Sequence, residues 1–101
     1  MSTNLKAITS RLGYQQITNL SAATNLTVPV KNLSGLVGGP SIALITPEAQ
    51  AVRWRDDGVA PSATVGMPLA VGVTLQYDGD LTQIQFFEQA GGAKLNISYY
   101  A

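Results

Sequence analysis

The stretch "LTQIQFFEQAGGAKLNISYYA", Leu81–Ala101, decides the fold. Ile84 and Phe86 alternate with Gln83 and Gln85, and beyond "QAGGAK" Leu95, Ile97 and Tyr99 alternate with Asn96 and Ser98. Strict alternation is the period of a strand with one buried and one wet face. The glycine-rich segment between the two runs is expected to be a hairpin turn.

The same pattern extends toward the N-terminus. "LAVGVTLQ" reads as a strand, and "YDGD", Tyr77–Asp80, as the hairpin turn joining it to "LTQIQF". "SIALITPEAQAVRWRD" gives a strand at Ser41–Thr46, a turn at Pro47–Gln50 and a second strand at Ala51–Arg55. "ITNLSAATNLTVPV", Ile17–Val30, predicts two short strands around "SAATN", with Leu26, Val28 and Val30 on one face. No segment carries apolar residues at a helical spacing. About seven or eight short strands at this spacing predict an all-β chain, a small antiparallel sandwich or barrel of Greek-key or jelly-roll style. Residues 14–101 are expected to form that domain and residues 1–13 an N-terminal arm, flexible or docking.

Composition narrows the function. Of 101 residues 46% are hydrophobic, enough for one core, and only 12% are charged, with six basic and six acidic side chains. A typical domain carries about a quarter charged residues, and a surface close to neutrality tends to associate. A balanced charge gathers neither nucleic acid nor anionic membrane. The chain has no cysteine and no histidine, so thiolate sites, disulfides and a serine–histidine triad are excluded. Neither a secretory signal nor an apolar run of membrane-spanning length is present, which predicts a chain made soluble in the cytoplasm. The four Asn-x-Ser/Thr sequons at Asn19, Asn25, Asn32 and Asn96 then reflect a Ser/Thr/Asn-rich β composition.

Charge and aromatic character meet in "VRWRDDG", Val52–Gly58. Alternation sets Val52 and Trp54 inward, Arg53 and Arg55 outward, with Asp56-Asp57-Gly58 as a turn. Trp54 is expected in the core. Arginine and tryptophan are over-represented at interface hot spots, so Arg53 and Arg55 are the candidates for a subunit contact. Leu33, Leu36 and Val37 in the glycine-rich loop before Pro40, and Tyr100 beside the chain end, complete the candidate interface. Asp56 with Asp57, and Asp78 with Asp80, are too few carboxylates for calcium and lack the EF-hand spacing. "SGLVGGP" and "QAGGAK" lack the Gly-Lys-Ser/Thr of a phosphate loop. No catalytic, metal or cofactor residues are therefore assigned. An enzyme would need two convergent carboxylates across a cleft.

The second half of the chain resembles a small family of structural proteins of tailed bacteriophages and prophages. The resemblance rests on Val52–Gly58, Pro61–Met67, Gly79–Leu81 and Ala93–Tyr100, with looser likeness at "YQQIT", Tyr14–Thr18, and "LTVP", Leu26–Pro29. "GLVGGPS", Gly35–Ser41, departs from the family pattern. The resemblance implies a β-sandwich accessory protein of the virion. A capsid decoration subunit that docks on the major capsid protein and on copies of itself is the first expectation, a head–tail junction or tail subunit the second. A carbohydrate-binding module, with Trp54, Tyr77 and Tyr100 as stacking faces, is the alternative of another class.

Overall fold

In a computed structural model, residues 11–29 and 40–100 are described. They form eight strands: β1 Arg11–Ile17, β2 Thr24–Asn25, β3 Ile42–Glu48, β4 Val52–Arg55, β5 Met67–Leu69, β6 Leu75–Tyr77, β7 Gln85–Glu88 and β8 Lys94–Tyr100. Two four-stranded antiparallel sheets result, one in the order β1-β8-β3-β6 and the other β2-β7-β4-β5. The pairing has a simple rule: β1 with β8, β2 with β7, β3 with β6 and β4 with β5. The chain is thus one long nested hairpin rolled up, closed by β3 against β8 and β4 against β7. An eight-stranded roll of this kind is a jelly roll.

Alternation does what the sequence predicts. Ala43, Ile45 and Pro47 of β3 are buried and their neighbours less so, and Leu95, Ile97 and Tyr99 of β8 repeat the pattern beside them. Opposite them, Val52 and Phe86 face inward from the second sheet, and Leu20 and Ile84 close the core from the connections. The outer face of β8 is polar. Tyr14 Oη and Gln16 Nε2 both donate to Asn96 Oδ1, at 2.6 and 3.0 Å, and Asn96 Nδ2 donates to Glu48 Oε1 at 3.1 Å.

The predicted hairpins are corrected. "YDGD" and "QAGGAK" lie between β6 and β7 and between β7 and β8, and each pair belongs to different sheets. Both segments are corners over which the chain crosses the sandwich. Local pattern marks where a strand stops, but not which sheet receives the next one. Asp80 shapes the first corner by accepting from Thr82 N at 3.0 Å and Thr82 Oγ1 at 2.6 Å. Glu88 Oε1 shapes the second by accepting from Gly92 N and Ala93 N at 3.2 and 3.3 Å.

Boundaries shift elsewhere, and "LAVGVTLQ", Leu69–Gln76, is not one strand: Leu69 ends β5, Leu75 begins β6 in the other sheet, and the chain turns between them at Ala70–Thr74. β1 starts at Arg11, taking in residues assigned to the arm, and β3 runs on through Pro47 and Glu48, so its corner is at Ala49 and Gln50. The two strands expected in 17–30 become the end of β1 and the two-residue β2, while buried Leu26 and half-buried Val28 follow β2 outside any strand. Val30 lies outside the described residues.

All corners at one end of the sandwich are Ile17–Ala23, Glu48–Ala51, Leu69–Thr74 and Glu88–Lys94. The other end, here the loop end, carries the start of β1, the end of β8, the β4–β5 loop and the β6–β7 corner. Replacing Phe86, fully buried between the sheets, by alanine is expected to cost about 3–5 kcal/mol in urea denaturation. Phe87→Ala, on the partly exposed face, should cost clearly less.

Candidate functional site

The β4–β5 loop, Asp56–Gly66, is the tip of the rolled hairpin, and beside it opens a cleft of about 410 Å³. Trp54, Arg55, Asp56 and Asp57 line one side and Val65, Gly66 and Met67 the other. Val65 and Met67 are more than half exposed, as is Val59 on the same loop. Apolar side chains displayed together at a loop are the feature that calls for an explanation on a soluble surface.

Each polar group around the cleft is already engaged. Arg55 grips Asp57 with both ends of its fork, donating from Nε to Oδ1 at 3.0 Å and from Nη2 to Oδ2. That grip holds the Asp57 carboxyl below its ordinary range. Arg53 donates from Nε to the Ala63 carbonyl at 3.2 Å and from Nη1 to the Gly66 carbonyl at 2.9 Å, so it pins the loop to β4. Ser62 Oγ tightens the same loop by accepting from Val65 N at 3.1 Å.

Trp54, in the cleft lining, meets Tyr77 behind it edge to face, ring centroids 5.9 Å apart at 63°. Tyr77 Oη donates to Asp56 Oδ2 at 2.8 Å, which ties β6 of one sheet to the end of β4 in the other. Burial, with help from that bond, pushes the Tyr77 phenol up to about 12. Gly79 makes this possible: a Cβ there would run into the Tyr77 hydroxyl oxygen. Gly66, at φ +138°, is close to Arg53 Cβ and the Trp54 carbonyl, each 3.1 Å from where a Cβ would be.

The sequence-predicted residues separate into groups. Trp54 is only partly buried and stands at the mouth of the cleft, packed against the core rather than within it, because β4 ends one residue later. Arg55 lies at the cleft and Arg53 beneath it as a loop clamp. Tyr100 is partly exposed at the loop end, paired with Arg11 and Ile42 but apart from the cleft lining. Leu33, Leu36 and Val37 lie outside the described residues. Tyr77, named as a stacking face for sugars, is 8% exposed and turned into the core. Sequence reading passed over Val65 and Met67, although two apolar residues inside the turn-like "SATVGMP" were the available signal.

Among the described residues no three acidic side chains converge to hold a metal ion. Asp56 and Asp57 are adjacent, but one accepts from Tyr77 and the other from Arg55. The site is preorganised, internally neutralised at Arg55 and Asp57, and apolar where it is open. Such a surface recognises by shape and by apolar burial.

Two outcomes follow. Gly79→Ala should displace the phenol, break the Tyr77–Asp56 bond and bring the Tyr77 titration back toward its ordinary value, seen in ultraviolet difference spectra. Tyr99, 1% exposed, is likewise pushed up to about 12 by burial. A raised phenol pKa means that the folded protein holds its proton more firmly than the unfolded chain. Both contributions are complete below pH 10 and vanish as the pH rises through about 12, at about 1.4 kcal/mol per pH unit per tyrosine. Denaturation midpoints across that interval check it.

Compared with family models, curated proteins and solved structures, the chain matches none.

Proposed function

We propose that this protein is a structural subunit of a tailed-phage virion, a capsid decoration protein that stabilises the particle by docking in many symmetric copies. The observation that carries the reading is the loop end: a cleft at the tip of a jelly roll, with Val65 and Met67 open to solvent, Trp54 partly so, and its arginine already paired. Low charge, 12% of residues, supports an associating surface. The likeness of Val52–Gly58, Pro61–Met67, Gly79–Leu81 and Ala93–Tyr100 to small phage structural proteins supplies the context. Eight-stranded jelly rolls are a common architecture of capsid and lectin domains.

The mechanism is additive burial. Each copy covers a modest apolar area, and repetition over a symmetric lattice turns a weak single contact into a durable shell. The charged side chains that line the cleft, Arg55, Asp56 and Asp57, are bonded before docking, so little desolvation of those groups opposes it. Tyr77 is buried and Val65 and Met67 form one wall of the cleft, an arrangement poorer in hydrogen-bonding groups than a sugar needs.

Quantitative peptide mass spectrometry of gradient-purified particles tests the reading. Copies in the hundreds, in simple ratio to the major capsid protein, are the expected result. A few copies per particle would move the subunit to the neck or tail, and absence would overturn a virion role. Within the particle, Met67→Asp, at an exposed site, should lower occupancy about ten- to a hundredfold at limiting protein, the loss of one seated apolar side chain.

A further inference from the structure

Two Asp-Gly pairs are exposed on this chain in unlike surroundings. Asp57-Gly58 lies in the tip loop and Asp78-Gly79 at the corner that follows β6. In each pair the residue after the aspartate has no Cβ, so nothing of its own crowds the approach of its nitrogen to the aspartate Cγ. Bond formation there expels a carboxyl oxygen as water and closes a five-membered imide.

The two carboxyls are held differently. Asp57 accepts from Arg55 Nε at 3.0 Å, from Arg55 Nη2 and from Val59 N at 3.4 Å. That pairing keeps it ionised, and an ionised carboxylate has no hydroxyl to release as water. Among the described residues, hydrogen bonds reach the carboxylates of Glu48, Asp56, Asp57, Asp80 and Glu88, and Asp78 is the one acid that receives none.

We infer that Asp78-Gly79 is a self-modification site, an aspartate that isomerises to isoaspartate in the folded protein, and that the Arg55 fork spares the identical pair at Asp57-Gly58. The Gly79 nitrogen bonds to Asp78 Cγ and gives up its proton, and one water leaves. A second water opens the imide. Cleavage of the bond from nitrogen to Cγ restores aspartate, whereas cleavage of the bond from nitrogen to the main-chain carbonyl carbon leaves the chain running through Cγ. One water is lost and one gained, with no oxidation or reduction. The product adds a methylene to the main chain beside Gly79, which packs against the Tyr77 hydroxyl too closely to admit a Cβ. The Tyr77–Asp56 bond at the start of the tip loop is therefore the contact that the added length disturbs. The inference concerns the folded chain alone and is separate from any role in a particle.

Ageing the purified full chain for weeks at neutral pH, followed by peptide mass spectrometry, tests it. Both pairs fall in one tryptic peptide, Asp56–Lys94, in which electron-transfer fragmentation locates isoaspartate at either residue. In the folded chain isoaspartate should accumulate at residue 78 about fivefold faster than at residue 57, the scale of a fixed surface ion pair. In the chain aged in urea the two rates should converge. Arg55→Ala, checked for its fold by circular dichroism, should raise the rate at residue 57 toward that at residue 78. The isolated isoaspartyl form should show the Tyr77 titration moved back toward that of an ordinary phenol. A folded chain without isoaspartate at residue 78, one in which residue 57 converts as fast, or a rate difference that persists in urea would each overturn the inference. An unchanged Tyr77 titration would overturn its link to the tip loop.

Discussion

Everything at the loop end depends on the pairing of β3 with β8. Seven residues, Ile42–Glu48, lie against Lys94–Tyr100 and bring the last strand into the middle of its sheet, with β1 on its other side. This pairing closes the loop from Glu48 to Lys94 and forces the strands between them to nest. β4–β5 then becomes the tip, and the tip is where the cleft opens. Loop-closure cost rises only slowly with length, and the buried pairs Ala43–Tyr99, Ile45–Ile97 and Pro47–Leu95 offset it with apolar burial.

The second sheet is held to the first at the loop end by a short polar and aromatic link. Trp54 and Phe86 share a register position on β4 and β7, and Trp54 touches Tyr77 of the opposite sheet. Tyr77 in turn reaches Asp56, the first residue of the tip loop, and Arg53 clamps the far side of that loop at Ala63 and Gly66. Residues that look like contact groups in the sequence therefore divide into those that build the surface and those that form it. Arg53, Tyr77 and Gly79 hold the loop in place, while Val65, Met67 and part of Trp54 are what a partner would meet.

The inward facing of alternating residues was legible in the sequence because period-two alternation is a local property, whereas "LAVGVTLQ" split into the end of β5 and the start of β6. Ile84 and Phe86, and Leu95, Ile97 and Tyr99, turn inward as their spacing requires. Sheet membership was not legible. "YDGD" and "QAGGAK" have the composition of hairpin turns, yet pairing partners for β6, β7 and β8 lie far along the chain. The same limit hid the cleft, since Trp54, Asp57, Val65 and Met67 come together only when β4 and β5 pair around their loop. Arg55, which lines the cleft, stands out in the sequence because an arginine beside a tryptophan is informative by type. Gly79 does not, because its role is set by the Tyr77 hydroxyl rather than by its own turn.

A decoration subunit docked through the Trp54, Val65 and Met67 cleft would work by covering its loop end. Hydrogen exchange read by mass spectrometry, on the free chain and on the chain bound to purified particles, tests it most directly. Binding is expected to slow exchange in the tip loop, Asp57–Gly66, and to leave the opposite corners around Ala49 and Gly91 unchanged. Protection confined to the polar face around Tyr14 and Asn96, with the tip loop exchanging as in the free chain, would contradict it.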